Sequence, residues 1–500
     1  MPKKYFSNPK KLSSMESSAR SSKELPTILR EGTTSEKPTD IRVIASKAFL
    51  LPVATRVPLK FGDQILESIN CLRVRMSVCD NSGRTAEGWG ETPLSVQWAW
   101  PSEITYQNRL DSLVEFCQKL KQSWPEHRGS GHPLELGHDF LRNVLPALQR
   151  NHNAGARSGE ELPYLAALVA NSAFDIALHD AYGNLHQVDI YDTYNANYMN
   201  RDLAAFLQPA ESQSTTISFS GAYPEDFLVF PPPQQLSAWH LVGGLDPLSS
   251  SELGDNPPDD GYPLLLREWI ETDGLKCLKI KLRGNDMEWD YDRLVQVGKV
   301  SLETGVEALS ADFNCCVQET SYVNVVLDRL RNEEPAIFER LVYVEQPFEY
   351  DLEQRRLDVH QVARRKPLFL DESAHDWQHV RLGYELGWTG VALKTCKTQT
   401  GALLSLCWAK AHGMQLMVQD LTNPMLAQIP HVRLAAHAGT IGGVETNAMQ
   451  FYPEASAREA QIHPGLYRRR KGQVDLSTLS GSGFGYRIDE MNPSHQHHEV

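Results

Sequence analysis

Seven ionisable residues stand at the ends of short apolar runs in the C-terminal half of the chain: Lys279 and Lys281, then Asp312, Glu345, Asp371, Lys394 and Asp420. From Lys281 onward the steps are 31, 33, 26, 23 and 26 residues, each about one strand plus one helix. Taken singly, each residue has an ordinary explanation. A Lys-x-Lys pair on a strand can guard a sheet edge, acidic groups at strand ends can cap helices or close turns, and a terminal lysine can snorkel to solvent. None of these explains lysines on both sides of three consecutive acidic strand ends.

Three carboxylates from neighbouring strands, Asp312, Glu345 and Asp371, make a hard site of oxygen ligands suited to Mg²⁺ or Mn²⁺. Zinc would call for His or Cys. Lysines on either side of such a site point to removal of a proton α to a carboxylate, a weak acid whose developing enolate needs a cation for stabilisation. A lysine acts as a base only when neutral, and burial beside another ammonium group and a divalent cation lowers its pKa in that direction.

The elements that must carry these groups are eight apolar segments: "AWHLVGG", "LKCLKIKL", "VEALSADFN", "LVYVEQP", "PLFLDES", "GVALKT", "MQLMVQD" and "GVETNAMQF". Amphipathic helical stretches such as "YDRLVQVGKVSLETG" and "TGALLSLCWAKAHG" separate them. Alternating strands and helices with apolar strands predict a parallel sheet, either a closed α/β barrel over 238–451 or an open doubly wound sheet. Only the barrel brings every strand end to one mouth. Upstream, "IRVIASKAFLLPVATRVPL", "ILESINCLRVRMSVCD" and "RTAEGWGETPL" read as a three-strand meander, and helical periodicity follows over 106–124 and in "PYLAALVANSAFDIALHDAYGNL". This first unit, 41–207, reads as α+β, 208–237 as an irregular linker, and polar irregular sequence continues to about 262. Residues 1–40, rich in Ser, Lys and Glu, read as a flexible tail.

Composition narrows the class of function. The net charge is -14, with no long basic block, so nucleic acid is not expected as a partner. No apolar run reaches the roughly 20 residues that a bilayer span needs, and the basic N-terminus has no hydrophobic segment behind it, so the expected location is the cytoplasm. The eight cysteines form no CxxC pair, which predicts neither a disulfide framework nor a zinc site.

The ordered motifs "KIK" at 279–281, "DFN" at 312–314, "VEQP" at 344–347, "LDES" at 370–373 and "LKTCKTQTG" at 393–401 resemble the enolase superfamily, and within it the muconate lactonizing enzyme subgroup. "GWGETPL" at 88–94 and "FDIALHDAYG" at 174–183 resemble the capping domain of that family. The resemblance implies a (β/α)7β modified TIM barrel with an α+β capping domain that the segment 452–490 completes. It also implies a homo-oligomer acting on a small-molecule carboxylate.

Carried onto matching positions, it makes Asp312, Glu345 and Asp371 the Mg²⁺ ligands and places Lys281 and Lys394 as acid/base groups on opposite faces of the substrate. Lys279 would tune Lys281 and bind the substrate carboxylate. Lys397 is a second lysine near the sixth strand, but Lys394 directly ends "GVALK". Substrate contacts are expected from Arg56, Lys60 and Phe61 in "TRVPLKFG", and from Asn314, Asp420, Glu445 and Asn447. "VETNAMQF" matches only loosely the DxD element of dipeptide epimerases, and the usual diglycine after the sixth strand reads "QTG". The closing "SHQHHE" reads as a solvated tail. The expected activity is racemisation or epimerisation of a small carboxylic acid or amino-acid derivative. The alternatives are a cycloisomerase or dehydratase on the same site, or a silent barrel kept for binding.

Overall fold

The computed structural model describes residues 36–61, 64–156, 160–213, 215–491 and 498–499. Most of the expected N-terminal tail, the tip of the 55–62 hairpin and most of "SHQHHE" therefore lie outside the described residues. Strands β1 (Ile41–Phe61), β2 (Gln64–Asp80) and β3 (Thr85–Pro93) form an antiparallel meander. The β1–β2 register shifts between Ala54 and Leu59.

The helix Tyr164–His186 lies on this sheet. Its periodicity predicts one apolar face, yet nearly every residue from Leu165 to Gly183 is buried. The sheet covers one side of it, and on another Asp175 accepts hydrogen bonds from Thr400 N and Oγ1 (2.9 and 2.7 Å) at the start of a barrel helix. A helix enclosed on several sides has no solvent face to mark with polar residues. The close approach depends on glycine. A Cβ on Gly88 would meet Ala181 N at 2.1 Å, and one on Gly90 would meet Ala173 O at 2.0 Å.

The eight apolar segments form eight parallel strands, β4 (Gln235–Val242), β5 (Cys277–Lys281), β6 (Ala308–Asp312), β7 (Leu341–Glu345), β8 (Leu368–Leu370), β9 (Gly390–Leu393), β10 (Gln415–Val418) and β11 (Val444–Glu445). They pair in sequence order, and β11 pairs with β4. Between β10 and β11 the ring is joined by Ile441 N donating to Leu416 O at 3.0 Å. The result is a (β/α)7β modified TIM barrel with an antiparallel capping sheet. Trp239, Cys277, Tyr343, Phe369 and Met417 fill the barrel interior below the mouth.

The C-terminal segment touches both parts. Strand β12 (Gln473–Asp475) pairs antiparallel with β4, and Phe484 N donates to Asp180 of the capping helix at 3.0 Å. Among the described residues, no helix is long and apolar enough to cross a membrane.

Candidate active site

Parallel strands around a barrel direct their C-terminal side chains to one mouth. Lys279 and Lys281, two residues apart on β5, share the inward face, whereas Lys276 lies before the strand and donates to Gly305 O at 3.0 Å. Lys281 Nζ lies 2.5 Å from Asp312 Oδ2. Lys279 Nζ donates to Glu345 Oε1, to Gln419 Oε1 at 3.1 Å and to Glu445 Oε2 at 3.0 Å, and lies 3.1 Å from Asp312 Oδ2. An ammonium group has three hydrogens to donate, so Lys279 has none left for a substrate in this arrangement. Across the mouth, Lys394 Nζ lies 3.2 Å from Asp371 Oδ2 and donates to Asp420 O at 3.2 Å. Lys397 donates to Asp371 O.

Lys279, Lys281, Asp371, Lys394, Asp420 and Glu445 line one cavity of about 40 Å³, roofed by Leu59, Phe61 and Leu66 of the β1–β2 hairpin and flanked by Trp98, Leu241 and Leu421. That is room for a few water molecules. Of the residues expected to contact substrate, Phe61, Asp420 and Glu445 reach this cavity. Arg56 and Lys60 do not. Arg56 faces two outer cavities of about 280 and 620 Å³, and Lys60 accepts from Gly244 N through its carbonyl at 3.0 Å. Asn314 and Asn447 support the carboxylates: Asn314 N donates to Asp312 Oδ1 at 2.9 Å, and Asn447 Nδ2 donates to Asp420 Oδ1 at 3.2 Å and Glu445 Oε1 at 2.8 Å.

Three groups escaped the sequence reading. Gln419 bridges Lys279 and Glu345. Glu372 accepts from Asn314 Nδ2 at 3.2 Å and from Trp98 Nε1 at 2.9 Å. The Trp98 ring stands 5.4 Å from Lys394 Nζ and 5.5 Å from Lys397 Nζ. Of these, Glu372 had a visible signal, a second acid beside Asp371 in "LDES".

Charge coupling is strong here. Burial and the neighbouring Asp312, Asp371 and Glu445 push the Glu345 carboxyl well above its ordinary range, against the pull of Lys279. At Asp312 burial is outweighed by Lys281 and Lys279, and at Asp371 by Lys394 and Lys397, so both are lowered. Among the protein groups alone, burial acts to lower Lys279 and Lys394, but Glu345, Glu445 and Asp312 raise Lys279, and Asp371 raises Lys394; the lowering expected beside a divalent cation belongs to the metal-bound site. Burial lowers Lys397.

Among the described residues, no three His, Cys, Asp or Glu side chains stand together as a ready ligand cage; the lysine ammonium groups lie between the carboxylates. The donor chemistry nevertheless suits a hard cation. Asp371 Oδ1 and Glu372 Oε2 are buried oxygens with no hydrogen-bond partner, and the repulsion that raises Glu345 is what a cation would relieve.

A family model described as "Enolase C-terminal domain-like" matches residues 264–492. No curated protein matches the chain. Among solved structures, a dipeptide epimerase from Cytophaga hutchinsonii complexed with Mg and D-Ala-L-Val superposes with a TM-score of 0.58 at 16% identity, covering 92% of this chain and 99% of that one. A mandelate racemase/muconate lactonizing protein from Herpetosiphon aurantiacus gives 0.56 at 17%, covering 90% and 99%. A muconate lactonizing enzyme from a mycobacterium, complexed with muconolactone, gives 0.53 at 14%, covering 89% and 96%. At such identities the structures establish the shared fold. Residues 264–492 therefore carry the likeness to the enolase C-terminal domain, and the solved structures extend it to a shared fold along most of the chain.

Proposed function

We propose that the protein is a Mg²⁺-dependent enzyme that removes the proton α to a carboxylate and returns a proton to the same carbon, as a racemase or epimerase of a small carboxylic acid or amino-acid derivative. One observation carries this reading: Lys281 and Lys394, from β5 and from the end of β9, line the same buried cavity, each beside its own carboxylate, Asp312 and Asp371. In this reading residues 41–207 with 452–490 form the cap and 238–451 the barrel.

Asp312, Glu345 and Asp371 would hold the metal. When bound, Mg²⁺ supplies the positive charge that stabilises a developing enolate. Lys281 takes or returns the α-proton on one face, and Lys394 does so on the other. Lys279, held by Glu345, Gln419 and Glu445, is the fixed cation that keeps this carboxylate cluster compact. Leu59, Phe61 and Leu66 exclude water above the reacting carbon.

The test is exchange of substrate α-protons in D₂O across a panel of N-acyl amino acids, dipeptides and hydroxy acids with added Mg²⁺. Exchange that persists when Lys281→Ala and Lys394→Ala are combined rejects the proposal. A second reading, a cycloisomerase or dehydratase, draws support from the two oxygens that hold the Lys394 ammonium group, Asp371 Oδ2 and Asp420 O, since they favour an acid or fixed cation there. A product with a new ring or double bond would select it over inversion at Cα.

A further inference from the structure

The capping part of the chain contributes one aromatic wall to the cavity. Trp98 lies just beyond β3 and is 7% exposed. Its indole N–H donates to Glu372 Oε1 at 2.9 Å, and Glu372 also accepts from Asn314, which supports Asp312. The ring plane is thus tied to the barrel although the residue belongs to the cap. Beneath that ring two ammonium groups compete for a single carboxylate. Lys394 Nζ lies 3.2 Å from Asp371 Oδ2 and Lys397 Nζ 3.6 Å from Asp371 Oδ1, with both 5.4–5.5 Å from the centre of the indole.

We infer that Trp98 is a positioning residue for Lys394, an inference that rests on the function proposed above. The negative face of the indole attracts both ammonium groups, and its bulk closes the direction in which Lys394 could swing away from the cavity. Lys397 is kept on the Asp371 carbonyl, to which it donates, leaving Lys394 as the lysine that faces the substrate carbon. Among the described residues no comparable ring covers Lys281, whose carboxylate partner is Asp312. The effect of Trp98 therefore falls on one face of the reaction.

That asymmetry supplies the test. Exchange of the α-proton into D₂O is measured separately for the two enantiomers of a substrate, and Lys394→Ala identifies which enantiomer depends on Lys394. Trp98→Leu, which removes the ring and the N–H, is expected to slow exchange of that enantiomer about tenfold or more and to leave the other within about twofold. Trp98→Phe, which keeps a ring face and loses only the N–H, is expected to give a smaller loss on the same face; it carries the test alone if the leucine variant does not fold. Equal slowing of both enantiomers, or of neither, overturns the inference and makes Trp98 a packing residue. Failure of the wild-type protein to exchange either enantiomer, or of Lys394→Ala to distinguish them, rejects the proposed function beneath it.

Discussion

Asp260 accepts two hydrogen bonds from Arg56, from Nε at 2.6 Å and Nη2 at 2.8 Å. The pair joins the β1–β2 hairpin to the irregular segment after β4. Arg56 Nη1 also reaches Pro263 O at 3.3 Å, and Lys60 O accepts from Gly244 N at 3.0 Å. The β1 side of the hairpin that roofs the cavity is therefore fastened at two points, Arg56 and Lys60, to the segment after β4. Because the pair is partly solvated, Asp260→Ala should cost at most about 1 kcal/mol and shift the thermal midpoint by no more than about 2–4 °C. The larger response should be local. Amide hydrogen exchange at 55–61 is expected to accelerate while β2 residues 70–78 keep their protection; unchanged exchange at 55–61 would show that the fastening does not depend on this pair.

Two lysines on opposite faces predict separable kinetic losses. Lys281→Ala and Lys394→Ala should each lower the rate of α-proton exchange by about 10²–10⁴-fold, the usual contribution of a positioned acid or base. Each variant should retain exchange of one enantiomer better than the other. Loss of both enantiomers in both variants would contradict the assignment of one lysine to each face.

The glycine pair of β3 gives a stability prediction. Gly88 and Gly90 lie two residues apart on one strand face, against Ala181 and Ala173 of the capping helix, where an added methyl would fall 2.0–2.1 Å from helix backbone. Backbone cannot yield as a flexible side chain does. Gly90→Ala is expected to destabilise the protein by about 1–3 kcal/mol or more, read as a lower urea midpoint with little change in slope. Trp89→Ala, on the opposite side of the strand, should cost less.

The same elements show why part of the molecule was legible. The strands β5 to β10 are apolar runs closed by ionisable groups, so strand identity and the chemistry at its end were written together, and all eight segments found their places. The hairpin was harder. Alternation puts Leu59 and Phe61 on the inner face and Lys60 on the other, while the register shift between Ala54 and Leu59 turns Arg56 toward the Asp260 segment. A string of residues does not reveal such a shift. Trp98 depends on how the cap docks, and Gln419 is neutral, so a search for charges at strand ends passes over it. Outside β4, the segment 208–262 is held by scattered turns and side-chain contacts that have no period to read.

Buried carboxylates of the capping part predict a pH-dependent stability difference. Burial, with Glu459 nearby, raises Glu91 to about 7 despite Arg73, and burial raises Asp180 to about 7. Both values exceed the ordinary ones, so the folded state holds protons that the unfolded state has released. Their stabilising contribution is complete below about pH 4, falls as pH rises, and is lost through pH 7. Buried histidines such as His179, lowered by burial to about 3, act in the opposite sense over part of this range. The clean measurement is therefore a difference. Glu91→Gln should lose ground to wild type at pH 5 and recover it as pH rises through 7. A difference in melting temperature that stays flat from pH 5 to 8 would contradict the shift assigned to Glu91.

Lys279 offers the sharpest link between stability and metal. Its ammonium group lies against Asp312, Glu345 and Glu445, all within 2% exposure. Removing one partner of a buried ionic cluster leaves uncompensated charge, at a cost of about 3–5 kcal/mol. Lys279→Ala should therefore fall in stability by that order, whereas Lys276→Ala, whose partners are at the surface, should change little. If Asp312, Glu345 and Asp371 are the metal ligands, Mg²⁺ replaces part of the missing positive charge. The thermal midpoint of Lys279→Ala should then rise with Mg²⁺ by more than that of the wild type, since the ion binds the folded state and has less repulsion to share with an ammonium group. Na⁺ at equal ionic strength should not reproduce the effect. A midpoint indifferent to Mg²⁺ in both proteins would remove the metal from these three carboxylates and leave the lysines as their permanent counter-charges.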